Sequence, residues 1–336
     1  MSTITPEHAI KDSVSLFTSA ECRAEHPLRL GTRGSVLALA QTAIVQTHLT
    51  HLTPPIASVV TVVHSLGDRV RDQPLASLES QGIFTEALEQ ALRESVVDAA
   101  IHSAKDLPST LPSDMLIAAA LGREDPRDCL VSAHGVDVLG LPQGATVGTG
   151  SPRRVSQLRR LRPDLRFEPL RGNVDTRRRA ALEGRVDAVV LAVAGLNRLG
   201  LMDRHAAPIP IEQCLPQAGQ GTLVIEIRAD DIETASIFRP LDRAYRSTLA
   251  CLDAERAVLA CLRAGCQAPV AAHAEILPDQ SLLLRGCVAS LDGQVVVRFS
   301  HQGHPETAAE IGRIVANGLR DQGAEALLIA AANGAP

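Results

Sequence analysis

Short apolar runs followed by segments of helical periodicity recur along the 336-residue chain, and this alternation constrains the fold more than any other feature. An apolar run that is bounded by turn residues and leads into a helix is typical of a buried parallel strand. Helices are predicted at 35–49 and 85–95. Strands are predicted at 27–31, 57–63, 97–102, 145–148, 165–169 and 186–192. Units of this kind predict an α/β fold.

Two pairs of segments also resemble each other. The sequence VDAAIHSAKDL at 97–107 is similar to VDAVVLAVAGL at 186–196, and LRLGTRGS at 28–35 is similar to ATVGTGSPRR at 145–154. Two lobes of similar β/α topology would explain both pairs. Short matches also arise from common helix-to-strand patterns, so the repeat alone leaves both explanations open.

The C-terminal part of the chain has a different pattern. A helix is predicted at 244–263, followed by short alternating strands with a hairpin at Asp292-Gly293. A final helix is predicted around 307–320. These elements predict a smaller α+β domain.

The charge is unevenly distributed. The formal net charge is −5, yet residues 153–185 contain eleven arginines and only four acidic residues. A solvated basic face would explain any single arginine, but so dense a cluster in an acidic chain indicates an anionic ligand. Five Phe and one Tyr leave little for base stacking, so a small polyanion fits better than nucleic acid. Of the 33 basic residues only Lys11 and Lys105 are lysines, and a retained lysine indicates either a need for a compact ammonium group or chance.

The cysteines do not indicate a disulfide framework or a metal centre. Seven cysteines are spread over the chain, and Cys251, Cys261 and Cys266 have no nearby histidines at zinc spacing. No stretch approaches the ~20 apolar residues of a membrane span. Residues 1–26 contain no apolar block with a cleavage signal, so we expect a loose N-terminal extension and a cytoplasmic protein.

Three predicted strand-to-helix turns combine hydroxyl groups with arginine. Open α/β sheets bind ligands at such strand ends, where helix N-termini begin. Ordinary helix capping explains any one of these turns, but three with arginine favour recognition of carboxylate or phosphate groups. The residues concerned are Thr32, Arg33 and Ser35; Thr149, Ser151, Arg153 and Arg154; and the segment LRGNVDTR at 170–177.

Two further segments carry reactive groups. HSAKDLP at 102–108 brings Ser103, Lys105 and Asp106 to the end of a strand, where Asp106 could stabilise a developing cation or move a proton. A surface Lys-Asp pair is an equally good explanation. AGCQAP at 264–269 puts Cys266 in a turn, where its thiol could be a nucleophile or an attachment point, although a buried filler is the commoner role of a cysteine.

Together these segments closely resemble the porphobilinogen deaminase family, also called hydroxymethylbilane synthases. The resemblance runs from residue 28 to the end of the chain. It is carried by HSAKDLP, REDPRD at 123–128, LRGNVDTR, LAVAGLNRLGL at 191–201, LPQAGQG at 215–221 and AGCQAP.

The resemblance implies an α/β enzyme with two lobes like those of periplasmic binding proteins and a smaller C-terminal α+β domain. It implies that residues 27–121 with 220–238 form lobe 1, that 127–215 form lobe 2, and that 244–336 form the third domain. Such enzymes join four porphobilinogen molecules head to tail with loss of ammonia and release hydroxymethylbilane. They work from a covalent dipyrromethane, here on Cys266, and need no metal; we expect a monomer with no nucleic-acid or membrane partner.

The resemblance also assigns roles to individual residues. Asp106 matches the catalytic carboxylate that stabilises the cation left when ammonia departs. The positions that match cofactor-binding residues are Ser103, Lys105, Thr149, Ser151, Arg153, Arg154 and Arg177. The positions that match substrate-binding residues are Arg33, Ser35, Arg171, Arg177 and Arg198.

One segment departs from the family. Residues 75–84 read LASLESQGIF, with Ser77 and Gln81 where relatives can carry lysine, which weakens the case for contacts from this loop to carboxylates and removes no core catalytic position. The main alternative is a non-catalytic two-lobe anion-binding protein, which would need neither Asp106 nor Cys266. A nucleic-acid-binding protein lacks a recognisable motif, and a phosphoryl-transfer enzyme would need a GxxxxGK[ST] loop that is absent from the sequence.

Overall fold

The computed structural model describes residues 27–64, 85–265 and 267–334. The predicted N-terminal extension at 1–26, the Ser77 and Gln81 positions and the predicted attachment residue Cys266 lie outside the described residues.

The first sheet has five strands in the order β2-β1-β3-β10-β4. The first three are parallel, and β10 runs antiparallel to both of its neighbours. Two helices follow the strands of the parallel part, α1 (Val36–Thr50) and α2 (Glu86–Arg93). The strands are β1 (Leu28–Thr32), β2 (Ser58–Val62), β3 (Ala99–Ser103), β4 (Met115–Ala120) and β10 (Leu223–Arg228).

The second sheet also has five strands, in the order β7-β6-β8-β5-β9. Strand β6 is parallel to β7 and β8, whereas β5 is antiparallel to β8 and β9. The helices are α3 (Pro152–Leu161), α4 (Val174–Leu182) and α5 (Val193–Arg198). The strands are β5 (Asp128–Ser132), β6 (Thr146–Gly148), β7 (Arg166–Glu168), β8 (Ala188–Ala192) and β9 (Ala206–Pro208).

The two sheets share one topology. In each, the first of the three parallel strands is central among them, and the third parallel strand pairs with an antiparallel strand. Strands β1 and β6 occupy equivalent places, as do β3 and β8, and these are the strands of the two similar segment pairs. The predicted similarity of the lobes is therefore confirmed.

Apolar side chains on both faces of each sheet form the lobe cores. Leu30, Ile101 and Ile225 pack under α1 in the first lobe, and Val147 and Val190 pack under α3 in the second. Burial of this kind supplies most of the stabilising free energy of an α/β lobe. The parallel strand ends that carry the predicted polar residues are left along one edge of each sheet.

The third sheet is an antiparallel meander of β11, β12 and β13. It packs against α7 and α8, and Val258, Leu284 and Val315 are completely buried between them. The predicted hairpin at Asp292-Gly293 is confirmed, with Gly293 at φ +74°. The elements are β11 (Val270–Ile276), β12 (Leu282–Ala289), β13 (Val296–Gly303), α6 (Ile232–Ala244), α7 (Arg246–Leu262), α8 (Ala308–Asp321) and α9 (Ala324–Ala332).

The two α/β sheets and the C-terminal sheet confirm the predicted fold class, and both α/β sheets are mixed, since β10 and β5 run against the parallel strands. One expectation was wrong. The helix predicted around 307–320 is not the last one, because α9 follows after a turn at Gly323. Within the described ranges, no helix combines the length and apolar character that crossing a membrane requires.

Candidate active site

The segment after β3 carries the predicted catalytic residue. The strand ends at Ser103 and turns into a short 3-10 helix, Ala104–Asp106, which places Lys105 and Asp106 at the carboxyl edge of the first sheet. The Ser103 hydroxyl accepts a 2.9 Å hydrogen bond from the Gln41 side chain. Asp106 is exposed, so its carboxylate is accessible to a ligand in the cleft.

A glycine supports this turn from below. Gly219 has a φ of +75°, and a Cβ at this position would lie 2.9 Å from backbone atoms of Ala104 and Lys105. Both its conformation and its close approach to the turn therefore require glycine. The Gln217 side chain donates to the Lys105 carbonyl over 3.2 Å, so the 215–221 segment holds the turn at two points.

Asp128 at the start of β5 lies at the centre of the second lobe's site. It is completely buried and accepts hydrogen bonds from Nη1 of Arg153 at 2.7 Å and from Nη2 of Arg154 at 2.7 Å. Burial alone would raise the pKa of Asp128, but the two guanidinium groups hold it well below its usual range. The carboxylate is therefore ionised at any physiological pH.

Gln220 connects the two lobes through their polar residues. Its amide nitrogen donates to Asp128 over 3.0 Å, and its amide oxygen accepts a 3.3 Å hydrogen bond from the Lys105 ammonium group. Burial of that ammonium group, together with the nearby Arg154, lowers the pKa of Lys105 to about 8, although Asp106 opposes the shift. The charge on Lys105 therefore depends on pH near neutrality.

Two of the predicted cofactor-binding arginines have buried nitrogens with no hydrogen-bond partner among the described residues. These atoms are Nε and Nη2 of Arg153 and Nε of Arg177. Burial and the neighbouring Arg154 lower the pKa of Arg177 to about 10, and burial lowers that of Arg198 to about 10. A buried donor without a partner is costly, so these guanidinium groups are suited to an anion that enters the cleft.

Residues of both lobes and of the third domain line one cleft. Lys105 and Asp106 line it from the first lobe and Ser151 and Arg153 from the second. The third domain contributes residues on both sides of position 266 in the chain, Ala264, Gly265 and Ala268. The cleft therefore joins several sequence-predicted elements: the Lys-Asp turn, the Ser151 turn, an arginine of the basic cluster and both flanks of the cysteine turn.

The remaining predicted residues do not line this cleft, and several make ordinary local contacts. The Ser35 hydroxyl accepts from the Ala38 amide and caps α1, and Thr149 accepts from the Ser151 amide over 3.3 Å. Arg33 is half-buried after β1, and Arg171 is exposed after β7. Arg198 donates to the Gly221 carbonyl, which keeps its guanidinium group beside the 215–221 segment.

The sequence did not predict the residues that bind and orient the side chains of the site. Asp128 and Gln220 stand in the motifs REDPRD and LPQAGQG without a predicted role, and so do Gly219 and Gln217. Because Asp128 begins a strand that pairs antiparallel with β8, its position beside Arg154 depends on a crossover that periodicity cannot show. The signal in the sequence is a carboxylate that precedes the short apolar run Cys129–Val131.

The described cysteines do not contribute to the cleft. Cys129, Cys214, Cys251 and Cys287 are buried, and burial raises the pKa of the first three thiols to about 12. None of the five cysteines in the described ranges lines the cleft. Over the same ranges, no group of three or more His, Cys, Asp or Glu side chains could hold a metal ion.

Comparison with protein families matches most of the chain. The family model described as porphobilinogen deaminase, dipyromethane cofactor binding domain, matches residues 28–236, and the porphobilinogen deaminase C-terminal domain matches residues 249–321. A porphobilinogen deaminase of Syntrophobacter fumaroxidans is 43% identical over 90% of this chain and 96% of its own length. One from Roseiflexus sp. strain RS-1 is 45% identical over 90% of this chain and 98% of its own.

Solved structures with a related arrangement are more distant. The periplasmic VFT2 domain of Bordetella pertussis BvgS aligns with a TM-score of 0.42 at 15% identity, over 68% of this chain and 92% of that one. The periplasmic molybdate-binding protein of Azotobacter vinelandii aligns with a TM-score of 0.37 at 12% identity, over 64% and 92% of the two chains.

Proposed function

Because the chain belongs to the porphobilinogen deaminase family, we propose that Asp106 is its catalytic carboxylate and that Cys266 carries its dipyrromethane. The observation that supports this most directly is the cleft, which joins Asp106, the two flanks of position 266 and the buried Arg153.

The activity is hydroxymethylbilane synthesis. Four porphobilinogen molecules are joined head to tail, each with loss of ammonia, and water releases the linear tetrapyrrole. Every pyrrole adds two carboxylates, so the growing chain is a polyanion, and the arginine-rich lobe 2 suits it.

Asp106 supplies negative charge where the reaction develops positive charge. Loss of ammonia from porphobilinogen leaves a cationic, electron-poor carbon that is conjugated with the pyrrole nitrogen. A fixed carboxylate can accept the pyrrole N–H and stabilise that charge with little rearrangement. The turn that holds Asp106 is fixed by Gly219 and Gln217, so its carboxylate need not be reorganised during the reaction.

The residues around the cleft fit a dipyrromethane. The unpartnered nitrogens of Arg153 and Arg177 and the ammonium group of Lys105 would bind its carboxylates. When bound, the group supplies the pyrrole carbon to which the first porphobilinogen is joined. The proposed cofactor-binding set is Ser103, Lys105, Thr149, Ser151, Arg153, Arg154 and Arg177.

Incoming porphobilinogen would be held by the residues at the neighbouring strand ends. We assign this role to Arg33, Ser35, Arg171, Arg177 and Arg198, which follow β1, β7 and β8 of the two sheets. Arginine suits the role because its planar fork can bind a carboxylate through two parallel hydrogen bonds.

A purely anion-binding two-lobe protein is not favoured. Such a protein has no need for an accessible carboxylate within a cleft lined by three domains, and both porphobilinogen deaminase family models match this chain. The domain boundaries, the monomeric state, the lack of a nucleic-acid partner and the cytoplasmic location stay predictions of the sequence.

The test is the rate of tetrapyrrole formation by an Asp106→Asn variant that carries its dipyrromethane. The asparagine keeps the shape but removes the negative charge, so we expect tetrapyrrole formation to fall by about 100-fold or more. Ammonia release from porphobilinogen and absorbance of the oxidised product measure the rate. Asp114→Asn is the matched control, since Asp114 is an exposed carboxylate that also pairs with a cation, Arg93.

The control should retain wild-type turnover. An Asp106→Asn enzyme that turns over at the wild-type rate would contradict the assigned role.

A further inference from the structure

The two adjacent arginines of the cofactor pocket share one buried anion. Oδ2 of Asp128 accepts from Nη1 of Arg153, and Oδ1 accepts from both Nε and Nη2 of Arg154, at 3.0 and 2.7 Å. Gln220 adds a further donor to Oδ1. All three charged side chains are at least nine-tenths buried, with Asp128 completely so.

The remaining hydrogen bonds of the pair fix its orientation. Nη1 of Arg153 also donates to the Leu215 carbonyl over 2.8 Å, and Nη1 of Arg154 donates to the Val190 carbonyl over 2.9 Å. Nη1 of Arg153 is thereby committed to protein acceptors, whereas its Nε and Nη2 find no partner within the described residues. Arg153 therefore has one nitrogen bound to protein acceptors and two without a partner, in a side chain that lines the cleft with Lys105 and Asp106.

We propose that Asp128 is a positioning residue for the cofactor pocket, which holds Arg153 and Arg154 in the orientation that binds the dipyrromethane carboxylates. This rests on the proposed function. Asp128 does not line the cleft; it acts through the arginines. Without its charge, two buried cations would repel each other, and Arg153 would lose the ion pair that fixes its orientation beside the cleft.

The same carboxylate also links the arginines to the catalytic turn. Gln220 donates to Asp128 and accepts from Lys105, so one chain of contacts runs from the arginine pair to the residue before Asp106. Asp128 contacts the arginines directly and reaches Lys105 through Gln220. A change at Asp128 is therefore expected to affect cofactor loading more than it affects the catalytic turn.

The experiment compares cofactor loading of apoenzyme variants from hydroxymethylbilane, followed by intact mass. For Asp128→Asn we expect loading to slow by about 10- to 100-fold, the scale of loss when a partner that orients a binding group is removed. Asp98→Asn is the matched control, because Asp98 also binds an arginine, Arg29, but at the opposite end of β3. The control should load at the wild-type rate.

Coupling to Arg153 separates positioning from a general structural role. If Asp128 acts through Arg153, adding Asp128→Asn to an Arg153→Gln enzyme should slow cofactor loading little further. If the two substitutions act independently, the double variant should slow loading by the product of the two single effects. Asp128→Glu keeps the charge but displaces it by one methylene, so it should fold and still load at least about tenfold more slowly.

If Asp128→Asn fails to fold, the loading rate of Asp128→Glu therefore tests the proposal. Wild-type loading by either variant would overturn the proposal, as would fully multiplicative losses with Arg153→Gln. Absence of any adduct on the wild-type protein would instead contradict the proposed function itself.

Discussion

Lys105 has a charge that depends on its surroundings in the cleft. Its ammonium group lies between the Asp106 and Gln220 side chains and near Arg154, and burial lowers its pKa to about 8. Arginine at this position would stay charged at any physiological pH, whereas lysine does not. A retained lysine thus makes the pocket's positive charge dependent on pH.

We therefore expect binding of an anionic tetrapyrrole to weaken as pH rises through about 8. Below this pH Lys105 is protonated and attracts carboxylates; above it the attraction is lost. Non-covalent affinity of a Cys266→Ser protein for hydroxymethylbilane, measured at pH values on either side of the Lys105 pKa, tests this without thioether formation. Lys105→Arg in the same background should remove the dependence, and an equal pH dependence in both proteins would contradict the account.

At the scale of elements, the turn after β3 depends on the 215–221 segment packed beneath it. Gly219 is in contact with the backbone of Ala104 and Lys105, and its amide donates to the buried Glu255 at 2.7 Å. Position 219 therefore links the catalytic turn to the third domain's first helix, α7.

Gly219→Ala should displace this turn and lower turnover by about tenfold or more, because small displacements of positioned groups carry large costs in rate. Gly184→Ala is the control for backbone strain, since Gly184 has a nearly equal φ of +76° but an added Cβ there would meet no atom within 4 Å. Both variants should lose stability, on the order of 1 kcal/mol from the φ penalty. Turnover and thermal unfolding measure the two effects; equal turnover in the two variants would count against the packing argument.

Periodicity predicts the parallel strands and the helices that connect them directly along the chain. Strands β1, β3, β6 and β8 and the helices after β1 and before β3 agree with the sequence prediction to within a few residues, since an apolar run followed by a 3.6-residue period signals both. Strands β4, β5, β9 and β10 are not predicted. All four belong to the antiparallel pairings of the two sheets, and β5 and β10 each begin after the chain crosses from one lobe to the other. Local pattern contains no information on such crossovers.

At the scale of the whole molecule, the third domain is joined by a buried ion pair to the segment that connects the first lobe to the second. Both Nη atoms of Arg123 donate to Glu255 over 2.8 Å, and Glu255 also accepts from the Ala274 amide of β11. Burial would raise the pKa of Glu255, but Arg123 and His273 hold it at about 2. The cleft is therefore formed by three domains with fixed contacts.

Individual residues of the candidate site could be predicted from the sequence, but the contacts that hold them together could not. Asp106, Lys105, Ser151 and Arg153 can be identified from turns at strand ends and from family motifs. Their supports, Asp128 and Gln220, come from segments that reach the cleft only in the folded chain. Long-range packing of this kind determines which arginine nitrogens stay available, and sequence spacing does not.

The central claim is that this cleft holds a dipyrromethane on Cys266, and the intact mass of the denatured protein tests it most directly. The wild-type protein should exceed its sequence mass by two porphobilinogen units less two ammonia molecules, and a Cys266→Ser variant should not. A wild-type protein with no added mass, even after incubation with porphobilinogen or hydroxymethylbilane, would contradict the account.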